Sequence, residues 1–467
     1  MGSAPWDAVS SHEQLFVLIT GANSGIGLAS CQRFIDEFLA THSLTSHLIL
    51  IPTTRSIAKS LDTIRTLRAH AATAAQTSAS LPARAGGGGS YNWRDTVRRI
   101  HVLSLQVDLC DLRGVRRFAA ALCAGTVSNP EGLEDEYLRD VRVPRLDSVI
   151  FNAAYGHWTG CNYPMAVWKI LTTGLIQPLT WPTFKLSQPT SLLNGKTRYK
   201  YPPEPPLGEV FCASIFGHYL LAHHLLPLLS RRSAAETPGR IIWSSSLEAV
   251  RDVFDRSDIQ CLNRSIPYES AKRLTDIISL THQLPSVQAI AAPFLRIDDP
   301  AMAAEKPIPP KIYLTHPGIV VSSLFPVPWF LLWAYDLALR VCRWLGSPWH
   351  TVDGYTGSKS AVWVTLQEQS ALDNMHAERV KWGSACDHKL QAGVKMTEVE
   401  GWGWEGKLED VKTDTESGIY RKSVGRKHGS KAVVEEDLTA FEELGAECWR
   451  QMESMRREWE AILDKDS

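Results

Sequence analysis

Five apolar residues, Leu15 to Ile19, run directly into Thr20-Gly21-Ala22-Asn23-Ser24-Gly25-Ile26-Gly27, and this junction constrains the chain more than any other stretch. The run suits a strand buried on both faces, and the small residues after it suit a turn into a helix predicted over Leu28 to Phe38. Gly21 takes the turn without a Cβ clash, Gly25 lets the backbone approach an anion, and Gly27 lets the helix pack closely on the strand. The amides at the helix start, Ile26 among them, then face a pyrophosphate. Gly21, Gly25, Ile26 and Gly27 therefore predict a dinucleotide site.

Strand-like runs recur downstream. His47 to Ile51 forms a second, ending in Pro52-Thr53-Thr54-Arg55. At the end of this strand a carboxylate would accept from the ribose 2′-hydroxyl of NAD. Thr54 removes that repulsion for a 2′-phosphate and Arg55 offers it a planar donor fork, so NADPH/NADP+ is favoured; a plain surface arginine is the alternative. Ala69 to Ser90, alanine-, serine- and threonine-rich and closing in Gly86 to Gly89, is expected to be the core of a flexible insertion over about 69–98. Val102 to Val107 is a third strand with Asp108 at its end and Asp111 placed to cap the next helix. Asp147 to Phe151 is a fourth, ending in Asn152. An aromatic insertion, 157–206, holds Trp158, Trp168, Trp181, Phe184, Tyr199 and Tyr201, and reads as a lid over an apolar substrate or as simple packing. Phe211 to Leu229 is a long helix, and Arg240 to Trp243 and Lys311 to Thr315 are the fifth and sixth strands. The alternation predicts an α/β fold: a Rossmann-type doubly wound parallel sheet with helices on both faces, long insertions and a C-terminal helical extension.

Tyr268 and Lys272 lie one helical turn apart, on one face. A free phenol, with a pKa of ~10, exchanges protons poorly at neutral pH unless a cation stabilises its phenolate, and Lys272 supplies one. The string Ser244-Ser245-Ser246 after the fifth strand offers hydroxyls to a substrate carbonyl. The gap between Ser246 and Tyr268 requires an inserted loop, Asp252 to Ser265, which is expected to border the substrate.

The T-G-x-x-x-G-x-G spacing, followed in order by Asn152 and Tyr268-x-x-x-Lys272, resembles the short-chain dehydrogenase/reductase family. That resemblance implies Ser246 as the substrate-polarising hydroxyl with Ser245 as runner-up, Asp108 at the adenine, Asn152 near the cofactor, and Val320 and Ser322 at the nicotinamide carboxamide. Tyr268 and Lys272 would serve both catalysis and cofactor binding. Ser214 replaces the asparagine that usually holds a relay water, and Asn152-Ala153-Ala154-Tyr155 departs from N-N-A-G. The runs F-G-H-Y-L-L, I-I-W-S-S-S-L-E-A, Y-E-S-A-K-R-L-T-D, T-H-P-G-I-V and G-Y-T-G-S-K-S-A-V-W-V resemble the 3-keto-steroid reductases of fungal ergosterol synthesis. That likeness implies NADPH-dependent reduction of a 3-keto sterol to the 3β-hydroxyl in sterol C-4 demethylation, in company with the other demethylation enzymes and their membrane scaffold. A reductase of another lipid carbonyl, or a scaffold member that has lost catalysis, are the alternatives.

With a formal net charge of -1 over 467 residues, the chain has no electrostatic bias toward nucleic acid. Nine scattered cysteines show no metal-ligand spacing, and the polar first residues hold no signal-peptide core. The catalytic domain is expected over 1–323. Segment 324–350 carries Trp329, Phe330, Trp333, Trp344 and Trp349, with Asp336, Arg340 and Arg343 between them and Pro326 and Pro328 at its start. Too polar to span, it reads as an interfacial helix on the cytosolic face of the endoplasmic reticulum membrane or on lipid droplets, its arginines meeting lipid phosphates. A substrate flap or oligomer interface is the other reading. Residues 351–467 are expected to complete the fold.

Overall fold

The computed structural model describes residues 4–86, 91–133, 138–194, 204–297, 305–321, 327–408 and 425–466. Its strands are β1 Gln14–Ile19, β2 His47–Thr54, β3 Ile100–Val102, β4 Leu105–Gln106, β5 Ser148–Phe151, β6 Trp158–Cys161, β7 Lys185–Ser187, β8 Arg240–Ser244, β9 Lys311–His316, β10 Lys381–Cys386 and β11 Ala392–Thr397. Nine of them form one sheet in the order β11-β10-β9-β8-β5-β1-β2-β3, with β4 also on β2. All its pairings are parallel except β10 with β11. Such a sheet must be covered on both faces, which is why Phe16, Val17, Leu18 and Ile19 are all fully buried. Phe34, Ile64 and Val362 pack on one face, and Val115, Tyr219, Ile278 and Trp449 on the other. The expected doubly wound α/β fold is present, and the strand order reverses between β1 and β5, where ligands bind in such folds.

Several local expectations give way. The alanine-rich stretch is not a flexible insertion: the helix Ile57–Thr77 runs through it with Ala71 and Ala75 buried, followed by a short helix Ser80–Arg84. Alanine's helix propensity, with two methyls finding core contacts, outweighs the low hydrophobicity. Gly87 to Ser90 lie outside the described residues. The third strand divides into β3 and β4. The long helix over Phe211 to Leu229 is interrupted by a π turn at Cys212–Phe216 and ends in a short turn of helix at Leu226–Leu229.

The C-terminal part is not purely helical, because β10 and β11 extend the sheet. Its long helix Glu435–Leu463 packs against the helix Pro267–Thr281, with the Trp449 indole donating to Ile278 O at 3.2 Å. Every residue of Pro267–Thr281 is buried as a result.

Segment 324–350 begins outside the described residues and forms the helix Leu332–Trp344. Trp329, Trp333 and Trp344 are 83%, 70% and 73% exposed, whereas Trp349 and Arg343 are buried. Arg343 donates to Thr351 O, and Arg340 pairs with Asp336 at 2.6 Å, so Arg343 is not available to lipid phosphates. Among the described residues no helix is long and apolar enough to cross a membrane.

Candidate active site

The turn after β1 sits at the switch point. Gly25 has φ +53°, and a Cβ built there would meet nothing within 4 Å, so the backbone faces open space. A Cβ on Gly27 would lie 2.5 Å from Gly21 O and 2.6 Å from Asn152 Nδ2, so only glycine fits. No side chain caps the N-terminus of the helix Gly25–Thr41 among the described residues. Uncapped amides facing open space suit an anionic phosphate.

Asn152 closes the turn from β5, its Nδ2 donating to Thr20 O at 3.0 Å and Gly21 O at 3.4 Å. Its role is thus to fix the glycine turn. Thr20 Oγ1 accepts from the amides of Asn152 and Ala153 at 3.0 and 3.1 Å and lies 2.9 Å from His218 Nε2. Burial, then Lys272, brings His218 down to about 3, so its ring is neutral. With Nδ1 donating to Ser214 O (3.3 Å), Nε2 accepts from the Thr20 hydroxyl. His218 lies in the run F-G-H-Y-L-L, but no sequence reading gives it a role. Ser214 itself lies in the π turn and accepts from Tyr155 N at 3.4 Å; such irregular turns are frequent at functional sites.

At the end of β2, Thr54 is buried, its hydroxyl donating to Ser56 O at 2.9 Å and facing Ser60. Thr54 is thus turned into the protein, and the neighbouring Arg55 is exposed. Asp108 is exposed with Oδ1 accepting from Cys110 N, and Asp111 caps the helix Leu112–Ala124 through Gly114 N. Val320 is half-buried beside Gly318 and Ile319; Ser322 lies outside the described residues.

Ser246, Tyr268 and Lys272 converge. Ser246 and Tyr268 line one cavity, and the Ser246 hydroxyl lies near enough to the phenol to oppose the rise in its pKa. Ser245 points elsewhere, its hydroxyl bound to Asp276, which separates the two candidate serines. Lys272 donates to Ser244 O at 2.6 Å, and its ammonium lies 5.6 Å from the Tyr268 ring centroid. Burial brings Lys272 down to about 8, against the pull of Asp276 and with a push from Lys381. Burial pushes the Tyr268 phenol well up, Glu248 and Glu269 add to the rise, and Ser246 opposes it. The expectation that Lys272 holds the phenol near neutrality is therefore not met in the chain alone. A phenol that keeps its proton is the form needed to donate one.

Two further groups escape the motifs. Asp276, one turn beyond Lys272, is fully buried against Lys381 of β10 at 2.6 Å, and Lys381 also donates to Ser246 O at 2.7 Å. On the opposite side of the site, Lys185 of the aromatic insertion pairs with Glu248 and Glu269.

A cavity of about 380 Å3 is lined in part by Ser246, Glu248 and Tyr268. Ile26 and Val320 face it from the cofactor side, and Trp158, Ile170, Leu179 and Phe184 wall it from the insertion. Leu331, Ala334 and Tyr335 complete it from the segment before and within Leu332–Trp344. The insertion is thus a wall of the pocket, as the lid reading expects. The loop Asp252 to Ser265 does not border the cavity: Gln260 accepts from Gly208 N, and Arg256 O accepts from Gln451, which carries it toward the C-terminal helix.

No family model matches the chain. The 3-keto-steroid reductase ERG27 of Gibberella zeae is 64% identical over 464 residues, covering 99% of this chain and 97% of its own. The 3-keto-steroid reductase erg27 of Aspergillus fumigatus is 38% identical over 464 residues, covering 97% and 95%. Among solved structures, salutaridine reductase from Papaver somniferum aligns at 12% identity and a TM-score of 0.39 over 76% of this chain and 96% of its own, too loosely to bear on the fold. The two full-length relatives decide the assignment: the chain belongs to the 3-keto-steroid reductase family.

Proposed function

We propose that the chain reduces the 3-keto group of a sterol intermediate to the 3β-hydroxyl with NADPH, during sterol C-4 demethylation. The observation that carries this is the largely apolar cavity that Ser246 and Tyr268 line. A large hydrocarbon skeleton gains by leaving water for such walls, while two hydroxyls in the lining fix the single polar group. The nicotinamide, when bound, supplies the hydride to the carbonyl carbon. Tyr268 donates its proton to the carbonyl oxygen, and Ser246 steadies that oxygen with a hydrogen bond as charge develops on it. Lys272 stands beside the phenol to offset the charge left on it. A substrate panel tests the reading: a 4-methyl-3-keto sterol is expected to be turned over far faster than short ketones, and equal rates would refute it.

NADPH rather than NADH follows from Arg55, exposed just past β2 with no carboxylate at the strand end. Arg55→Ala is expected to weaken NADPH binding about tenfold and leave NADH binding unchanged. Titration of both cofactors checks this, and equal effects on the two would remove Arg55 from the 2′-phosphate.

The substrate reaches the cavity from a membrane. Trp329, Phe330, Trp333 and Leu337 are exposed along the segment that gives Leu331, Ala334 and Tyr335 to the cavity, and Val167, Trp168 and Leu171 are exposed on the helix Tyr163–Thr173, which gives it Val167 and Ile170. Apolar exposure of this kind is unusual for a solvated surface. Two such helices flanking one cavity suit shallow insertion into the cytosolic leaflet of the endoplasmic reticulum or a lipid droplet. Assembly with the other C-4 demethylation enzymes belongs to the same reading. Replacing Trp329, Phe330 and Trp333 by Glu is expected to release a folded, NADPH-binding protein from membranes. A variant that still sediments with them would exclude this attachment.

A further inference from the structure

Lys185 takes no part in the chemical steps of reduction, yet its ammonium is buried between the two catalytic segments. It lies in β7 of the aromatic insertion, its side chain only 5% exposed, and pairs with Glu248, two residues after Ser246, and with Glu269, the neighbour of Tyr268, at 2.8 Å. The same ammonium stands 3.9 Å from the Trp158 ring centroid and 5.8 Å from that of Tyr268. Trp158, in the partner strand β6, donates to Glu269 Oε1 at 3.1 Å and meets the Tyr268 ring edge-on at 4.7 Å. Tyr268 therefore has two ammonium groups at similar range, since Lys272 is 5.6 Å from its centroid.

We propose that Lys185 is a positioning residue for ketone reduction: it bolts the β6–β7 hairpin to the Ser246 and Tyr268 segments and balances the two carboxylates beside the phenol. The inference rests on the reductase reading. Two buried carboxylates so close cannot both stay ionised without a cation, and a proton shared between them would loosen the hairpin. Burial pushes Glu248 up to about 7; burial also raises Glu269, but Lys185, a backbone amide and the Trp158 indole together hold it low. The groups facing the phenol are Lys272 and Glu269 from its own helix, Ser246 and Glu248 from the segment after β8, and Lys185 from the insertion. Tyr335, from the helix Leu332–Trp344, faces Glu248 in turn. Because Trp158 and Phe184 also wall the cavity, the bolt that sets the phenol's surroundings also sets the shape of the steroid pocket.

The test compares the parent with Lys185→Met, Lys185→Arg and Glu269→Gln in NADPH-dependent reduction of a 3-keto steroid. Lys185→Met is expected to lose about 30-fold in kcat/KM, and Lys185→Arg to stay within about threefold of the parent. A phenol and pocket wall held in register act on the transition state, so the loss in Lys185→Met is expected in kcat with NADPH affinity unchanged, and Glu269→Gln, which removes the carboxylate that Lys185 and Trp158 both hold, is expected to lose about tenfold in kcat/KM. A Lys185→Met protein with the parent's kcat/KM overturns the proposal. Should that variant not fold, the parent's kcat/KM in Glu269→Gln overturns it instead. A parent that does not reduce the steroid contradicts the reductase reading, whereas an active parent with unaffected variants contradicts only the role of Lys185.

Discussion

Tyr268→Phe is expected to lower kcat/KM for ketone reduction about 10²–10⁴-fold, the contribution typical of a positioned general acid, while leaving NADPH affinity nearly unchanged. The phenol lines the cavity beside Ser246, so its loss removes an interaction made mainly as the carbonyl oxygen gains charge. The ring is retained, and with it the edge contact to Trp158 at 4.7 Å, so the pocket wall should not collapse. Lys272 keeps its bond to Ser244 O and stays near the cofactor face. Turnover and a fluorescence titration of NADPH on the same preparation separate the two effects. Substantial reduction by Tyr268→Phe would place the acid elsewhere.

Lys381→Met is expected to destabilise the protein by about 3–5 kcal/mol, because it leaves the Asp276 carboxylate buried without its partner. Both side chains are almost wholly out of solvent, at 3% and 0% exposure, so water cannot take over the lost contact. Ser246 O loses a donor at the same time, which couples the stability defect to the catalytic segment. Replacing both members, Lys381→Met with Asp276→Leu, should recover much of the stability, since removing a buried pair entirely avoids the orphaned charge. Denaturant unfolding of the single and double variants measures this, and a single variant as stable as the parent would show that the pair is solvated.

The sequence discloses here what short-range chemistry dictates. The glycine turn, the strand before it and the Tyr268/Lys272 pair are spaced by backbone geometry, so they can be read in one dimension and are found together in three. The doubly wound sheet follows from the alternation of strands and helices. Lys381 could not be read this way: β10, Lys-Trp-Gly-Ser-Ala-Cys, has no apolar alternation, and its register beside β9 is set by a partner some seventy residues away. Lys185 and Glu248 meet only because an insertion folds back over the site, and nothing local announces a charge buried by tertiary contact. The alanine-rich stretch misleads for the opposite reason, since low hydrophobicity over Ala69 to Ser78 conceals a helix whose few inward methyls suffice to dock it. Ser245 and Ser246 are equivalent as letters, and only the Asp276 carboxylate tells them apart.

Hydride delivery to a sterol C3 carbonyl at Tyr268 is read out by isotope transfer. The full-length protein is given NADPH deuterated at the transferable C4 position and a 4-methyl-3-keto sterol, and the product is examined by mass spectrometry and NMR. One deuterium at C3 together with a 3β-hydroxyl is expected, and neither should appear with Tyr268→Phe. A sterol recovered as the ketone, or a product labelled anywhere but C3, would contradict the account.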